Sequence, residues 1–144
     1  MTSRQEWLLL ALAHRRGQPM TPAQIQKSMF LMRMEAGRYL GDHFYEFIPY
    51  NYGPFDADIY RDLDWLAAKG VVTTDASPGR NWRTYAVTPA GIDAAERAMA
   101  SADRTAVSYL GRVVDWATSV SFPVLIRAIY DKYPQFKANS VFAG

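Results

Sequence analysis

A helix that leads directly into a two-stranded hairpin is the feature that most restricts the fold of this chain. In "DIYRDLDWLAAKGVV", residues 58–72, apolar side chains recur at helical spacing and Gly70 then ends the helix. Two β-rich runs follow, residues 71–74 and 82–87, on either side of the turn "SPG". The pattern predicts a domain built around one helix and the short hairpin after it.

Helix-start signals divide the rest of the chain into further helices. Ser3 and Glu6 have the spacing of a capping box, which predicts a first helix over residues 4–15. Prolines directly after Thr21 and Thr88 mark the starts of a second and a fourth helix. Two apolar stripes predict a fifth and a sixth helix: Val107, Leu110, Val114 and Ala117, then Phe122, Leu125, Ile126, Ile129, Tyr130 and Tyr133. We therefore expect a mainly α-helical chain with a small β-hairpin, in the α+β class.

Composition places the chain among ordinary globular proteins. Its 144 residues fit one domain with a sizeable core, and 49% of them are apolar and 21% charged. No cysteine is present, which excludes disulfides and thiolate chemistry, and the net charge of +2 does not by itself indicate nucleic acid. The apolar run at residues 8–12 is too short for a signal peptide or a membrane span, so we expect a cytoplasmic protein without membrane contact.

The order helix, helix, helix, strand, strand, helix is that of a winged helix-turn-helix domain. The segments "LDWLAAKGVV" and "YAVTPAGIDAAERAM" resemble winged-helix regulators of the MarR and PadR kinds, in which such motifs enter and leave the wing. The resemblance covers residues 4–99. It implies a winged-helix domain over residues 1–100, with residues 101–144 as a helical extension that packs on it or forms a dimer interface, in one compact domain.

A second resemblance extends to the C-terminal part of the chain. "IQKSMFLM", "YNYGPFDADIY" and "IYDKYPQF" resemble the Panacea family of bacteria and phages. Gln26-Lys27 matches the opening helix of that family and Tyr52-Gly53-Pro54 the start of its central motif, whereas Phe55 and Met29-Phe30 depart from its usual residues. The resemblance implies a relative of that family, a regulatory or antitoxin-like module that can act by binding a protein.

The sequence contains no recognisable catalytic constellation. It has two histidines, His14 and His43, and no cysteine, so zinc-ligand spacing is absent. The four aspartates of residues 56–64 are better explained by the helix start, where carboxylates accept from free N–H groups, and by divergent positions further along the helix. We expect no catalytic residue, no metal site and no cofactor.

Binding of double-stranded DNA is the first functional hypothesis. In a winged helix the third helix enters the major groove and the wing contacts the neighbouring groove or backbone. The candidate contacts are Arg80, Asn81 and Arg83 in the wing, Tyr60 and Arg61 in the third helix, and Lys27 in the second. The acidic residues of the third helix oppose this hypothesis, because carboxylates near phosphates repel them. By resemblance to winged-helix regulators, we expect a homodimer.

Binding of a protein partner is the alternative. The second helix is apolar on nearly all sides, and the segment that follows it is rich in aromatic residues. Methionine and aromatic side chains are favoured at adaptable interfaces. The candidate contacts are Phe30, Leu31, Met34, Phe44, Tyr45 and Tyr52. The competing explanation is that these side chains pack in the core against the fifth and sixth helices.

Overall fold

The computed structural model describes residues 1–142, which form six α-helices and two antiparallel hairpins. In chain order the elements are α1 (Ser3–His14), α2 (Pro22–Ala36), β1 (Ile48–Tyr50), β2 (Gly53–Phe55), α3 (Asp58–Ala68), β3 (Val72–Asp75), β4 (Thr84–Val87), α4 (Pro89–Met99), α5 (Arg104–Ser119) and α6 (Phe122–Lys132). The predicted α+β class with a predominance of helix is confirmed. None of the described helices is both long and apolar enough to cross a bilayer.

The helix starts follow local capping chemistry, with one shift from the prediction. The capping box of α1 is formed by Thr2 and Gln5, because Thr2 has extended backbone while Ser3 is already helical and donates its hydroxyl to the Leu40 carbonyl. The predicted pair of Ser3 and Glu6 is therefore wrong by one position. Thr21 caps α2 as predicted, again in a capping box, and its proline occupies the first turn.

The core lies around α1 and α2. Helix α1 contacts α2, α3, α4, α5 and β4, which explains why nearly all of its apolar residues are buried. Helix α2 contacts α5, α6 and β2, so its apolar sides face other parts of the same chain. An all-round apolar helix of this kind is expected in the interior of a domain.

The β3–β4 hairpin is joined by a third backbone segment. Met20, just before α2, pairs with Tyr85 through two hydrogen bonds, Met20 N to Tyr85 O at 2.8 Å and Tyr85 N to Met20 O at 3.0 Å. Strand β3 starts and ends one residue later than predicted, whereas β4 starts later but ends at Val87 as predicted. Trp82 and Arg83 therefore lie in the loop between the two strands. The Met20 pairing fixes the α1–α2 connection against the hairpin.

A second hairpin, β1–β2, lies between α2 and α3 and was not predicted. Gly53 and Pro54 belong to β2, where Pro54 lies opposite Pro49. The two prolines are tolerated because the described sheet has no further strand that would require their missing N–H groups. This hairpin brings the aromatic residues of the segment close to α2 and α3.

The C-terminal helices pack on the rest of the chain. Helix α5 contacts α1 and α2, and α6 contacts α2 and β2. Glu35 near the end of α2 accepts hydrogen bonds from Lys132 and Tyr133, which hold the pKa of its carboxyl below the usual value. Beyond α6 the chain follows the first hairpin, where Val141 N donates to Asn51 O at 2.9 Å.

Candidate functional site

A cleft of about 770 Å³ lies between α2, the β1–β2 hairpin, α3, the β3–β4 loop and α6. Its lining is mainly apolar, and its volume is within the range of clefts that bind small molecules or side chains of a partner. Six aromatic residues line it: Tyr50, Tyr52, Phe55, Tyr60, Trp82 and Phe122. They come from the first hairpin, α3, the β3–β4 loop and α6, which are separate segments of the sequence.

Four of these rings are strongly exposed. The exposed fraction is 47% for Tyr50 and Tyr52, 49% for Trp82 and 41% for Phe122. Scattered apolar residues are normal on protein surfaces, but a group of large rings around one concavity is typical of a binding site. The cleft is therefore the strongest candidate for a functional surface in the described part of the chain.

Ring packing and one unusual backbone conformation shape the cleft. Tyr50 stacks on Phe55 with ring centroids 4.8 Å apart, and Tyr52 meets Phe122 edge-on at 5.4 Å. Gly53 has a φ of +96°, a conformation that residues with a side chain rarely adopt. This glycine allows the hairpin to turn from Tyr52 into β2 while the rings remain on the cleft side.

Lys27 lines the cleft and is buried, with an exposed fraction of 4%. Its Nζ donates to the Pro54 carbonyl at 3.3 Å, and it forms no ion pair within residues 1–142. Burial lowers the pKa of this amine to about 8. The prediction that Lys27 contacts a DNA backbone is wrong for this structure, because its side chain lies in the wall of the cleft and not on an exposed surface that a phosphate backbone meets.

Three of the predicted protein contacts are core residues. Phe30 is fully buried and meets Phe136 edge-on with centroids 4.7 Å apart, and Phe44 and Tyr45 are also buried. For these three, the prediction of an interaction surface is wrong, since other segments of the same chain cover them. Leu31 is half-buried and Met34 is exposed. Tyr52 is the member of the predicted set that lines the cleft.

The acidic residues at the start of α3 have partners inside the chain. Asp56 precedes the helix and accepts from the backbone N–H groups of Asp58 at 2.8 Å and of Glu46 at 2.9 Å. Asp58 pairs with Arg61 at 2.6 Å and with Arg4 at 3.4 Å. Their charges therefore stabilise the entry into α3, and both residues are half-buried.

Asp62 belongs to a buried polar network. It accepts from Tyr45 Oη at 2.6 Å and from Gln5 Nε2 at 3.0 Å, and it pairs with Arg4 Nε at 3.0 Å. Burial, followed by the hydrogen bond to Asp62, raises the pKa of Tyr45 well above its usual value. Asp64, in contrast, is exposed. Within residues 1–142, two of the three aspartates of α3, Asp58 and Asp62, therefore pair with groups of the same chain, and Asp64 does not.

The loop between β3 and β4 carries the predicted wing residues. The Arg80 guanidinium donates to the carbonyls of Asp75 and Trp82, each at 3.1 Å, so it holds the loop together. Asn81 is exposed, as is Arg83, which donates to Thr74 Oγ1 at 3.3 Å. On α3, Arg61 has a side chain that is 79% exposed. The structure therefore leaves Arg61, Asn81 and Arg83 accessible, whereas Arg80 has a structural role.

The sequence interpretation missed part of the cleft. Phe122 was assigned to the core-facing stripe of the sixth helix, but as the first residue of α6 it lies beyond the core and faces the cleft. For Tyr50 and Phe55 the sequence did contain a feature that could have indicated the cleft, namely aromatic residues on both sides of a Gly-Pro pair. Within residues 1–142, no three acidic or histidine side chains are grouped so that they could hold a metal ion.

No protein-family model matches this chain, and no curated protein matches it in sequence.

Proposed function

We propose that this chain is a regulatory protein-binding module on a winged-helix scaffold, and that its aromatic cleft holds a segment of a partner protein. The observation that carries this proposal is the cluster of Tyr50, Tyr52, Trp82 and Phe122, four exposed rings around one cleft. Aromatic residues are enriched where proteins bind one another, because they contribute large contact areas at low entropic cost. The proposed relation to the Panacea family agrees with this role.

The element order supports the winged-helix part of the proposal. Helix α1, the Met20 segment, α2, α3 and the β3–β4 hairpin follow one another as in that fold, and the Met20–Tyr85 pairing supplies a third strand segment. The β1–β2 hairpin is an insertion between the two helices that would form the helix-turn-helix. This insertion supplies the aromatic residues that turn the surface beside α3 into a cleft.

The charge of the cleft favours a protein partner over duplex DNA. Surfaces that bind DNA present several exposed lysine and arginine side chains to the phosphates. Among the residues that line the cleft, Lys27 is the charged one, and it is buried. A concave, apolar, aromatic surface is suited to the side chains of a peptide segment.

A selection of displayed random peptides on the purified protein tests the proposal. We expect selected peptides to lose at least about tenfold in affinity for the double variant Tyr52→Ser/Trp82→Ser, since both rings are central contacts. The matched control is Met34→Ser, which removes an exposed apolar side chain outside the cleft and should leave affinity unchanged. Failure to enrich any peptide, or equal binding by the double variant, would contradict the proposal.

DNA binding is the second candidate, and the accessible cations favour it. Arg83 in the wing loop and Arg61 on α3 have exposed side chains near the surface expected to meet DNA, Arg61 while it also pairs with Asp58. Asp62, in contrast, is buried among its partners Arg4, Tyr45 and Gln5. Fluorescence anisotropy with random duplex DNA at two salt concentrations is the direct test. Salt-sensitive binding that is weakened by Arg61→Ala/Arg83→Ala would support this candidate, and no binding at low salt would exclude it.

The homodimer stays a prediction. The apolar faces of α5 and α6 are used in packing on α1, α2 and β2, so a dimer would have to bury a different surface. Light scattering at several protein concentrations measures the oligomeric state directly.

A further inference from the structure

We propose that the segment bound in the cleft carries an aspartate or glutamate side chain that pairs with Lys27, next to an aromatic or apolar residue that contacts the rings. This inference rests on the proposed protein-binding function and specifies the chemistry of the partner. It follows from three observations: the environment of Lys27, the charge of the cleft lining and the position of α2.

Within residues 1–142, Lys27 is a buried cation that lacks an anion. An ammonium group has three N–H donors, and the described contacts give it one acceptor, the neutral carbonyl of Pro54. Removal of a charge from water is costly unless an opposite charge or several hydrogen bonds compensate for it. The site therefore has unused capacity for one negatively charged acceptor.

The rest of the described lining does not supply that acceptor. Apart from Lys27, every described residue that lines the cleft is uncharged; the polar ones include Gln24, Gln26 and Asn51. Because no carboxylate and no guanidinium is among these described residues, one positive charge dominates the potential inside the cleft. An anion that enters the cleft therefore meets one positive charge and no negative charge among the described lining residues.

The start of α2 adds to this potential. Thr21, Pro22, Ala23 and Gln24 all line the cleft, and the first turn of this 15-residue helix contains no acidic residue. The N-terminal end of a helix carries a partial positive charge that favours nearby anions. The helix end and Lys27 thus act in the same direction.

A carboxylate fits better than a phosphate group. Phosphate sites in proteins commonly use arginine forks, because a planar guanidinium donates two parallel hydrogen bonds to the oxygens. The described lining offers one lysine and no arginine, which matches a single negative charge. The exposed rings of Tyr50, Tyr52 and Trp82 line the same cleft, so the residues beside the carboxylate are expected to be aromatic or apolar.

Proton linkage gives this pairing a signature that simple packing would lack. Burial lowers the pKa of Lys27 to about 8 in the free protein, and a bound carboxylate would raise that pKa again. Binding then takes up a proton at alkaline pH, so affinity falls as the pH rises above about 8. A peptide that binds through its apolar side chains alone would show no such fall.

The experiment compares an acidic peptide with its amide counterpart. From the peptides selected on the wild-type protein, one is synthesised with its Asp or Glu and again with Asn or Gln at the same position. We expect the wild type to prefer the acid by about tenfold, as for a charge-assisted pair of about 1.4 kcal/mol. We expect Lys27→Met to bind both forms equally and to lose the fall in affinity above about pH 8. Lys69→Met removes an exposed lysine outside the cleft and should retain the preference.

The outcomes separate this inference from the proposed function. The pairing with Lys27 is overturned if peptides without an acidic residue bind in the cleft, or if the wild-type protein binds the acidic peptide and its amide counterpart with equal affinity. The protein-binding proposal is not affected by either result. The pairing is also overturned if folded Lys27→Met still prefers the acidic peptide to its amide counterpart. If no peptide is enriched at all, both proposals fail. The comparison on the wild type decides the matter even if Lys27→Met does not fold.

Discussion

Asp62 shows how a residue can be acidic and yet contribute little to the surface charge. Its carboxylate receives the Tyr45 hydroxyl, the Gln5 amide and the Arg4 guanidinium, and its exposed fraction is 5%. Buried polar groups of this kind stabilise a fold only while every member has a partner. The loss of one charge in the network therefore affects several groups at once.

Asp62→Asn should lower the free energy of unfolding by about 2–3 kcal/mol, because Arg4 loses its buried anion and the Tyr45 hydroxyl loses a charged acceptor. Urea unfolding followed by fluorescence measures the change. Asp64→Asn is the matched control on the same helix, since Asp64 is exposed, and should shift stability by no more than about 0.5 kcal/mol. Equal effects of the two substitutions would show that the network does not stabilise the fold.

Lys27 should make stability depend on pH. Its pKa is about 8 in the folded chain, below the ordinary value of 10.5, so between these values the unfolded state binds more protons. Stability then rises with pH across this window, and the full effect of such a shift is on the order of 3 kcal/mol. Lys27→Met removes this dependence and should be at least as stable as the wild type at about pH 7.

Urea unfolding of both proteins at about pH 7 and about pH 10 measures this difference, because other groups titrate equally in each. The stability advantage of Lys27→Met should shrink at the higher pH. Lys69→Met changes an exposed lysine, and its free energy of unfolding should match that of the wild type at both pH values. A constant difference between Lys27→Met and the wild type would contradict the assignment of a perturbed Lys27.

At the scale of elements, the start of α4 packs so closely against the β3–β4 hairpin that no side chain fits at Gly91. A Cβ atom at Gly91 would overlap the Val71 carbonyl oxygen and lie 2.6 Å from Val87 Cγ2. The Thr88 cap draws this turn toward the hairpin, since its hydroxyl donates to Gly70 O at 2.7 Å. Glycine at this position therefore sets how closely helix and hairpin approach.

Gly91→Ala should destabilise the chain by on the order of 3 kcal/mol, because the helix must move away from the hairpin. Gly37→Ala is the control, because its backbone is helical and no described atom outside its own helical turn lies within 4 Å of the place its new methyl group would occupy. This substitution should raise the free energy of unfolding by about 0.4–1 kcal/mol. Thermal unfolding monitored by circular dichroism compares the two. A neutral Gly91→Ala would show that the helix and hairpin can separate without cost.

At the scale of the whole molecule, the C-terminal helices are expected to belong to one cooperative unit with the rest. Helix α5 buries Ala106, Leu110, Val113 and Val114 in the same core cluster as α1. Phe136, beyond α6, covers Phe30 on α2. Removal of these segments would expose the apolar sides of both N-terminal helices.

A chain that ends at residue 100 should keep helical secondary structure but lose fixed packing. Its near-ultraviolet circular dichroism should weaken and it should bind a hydrophobic dye, as partly folded states do. Addition of residues 101–144 as a separate peptide should restore the near-ultraviolet signal. Cooperative unfolding of the shortened chain by itself would show that the extension is a separate unit.

Local signals in the sequence determined the helices and the β3–β4 hairpin. The caps at Thr21 and Thr88 and the glycine after α3 act on backbone groups within one turn, so their effect can be predicted without knowledge of the fold. The shift of the first capping box from Ser3 to Thr2 is an error of one residue in the same local chemistry. The α+β class followed from these elements and their apolar periodicity.

Only the tertiary structure decided which side chains are accessible. Lys27 is buried because a hairpin 27 residues further along the chain covers it, and Phe30 because the C-terminal tail does. The cleft likewise joins Tyr52, Trp82 and Phe122, whose proximity no local pattern encodes. Burial depends on contacts between segments far apart in sequence, whereas caps and periodicity report on neighbours along the chain. That is why the helices could be predicted from the sequence and the candidate site could not.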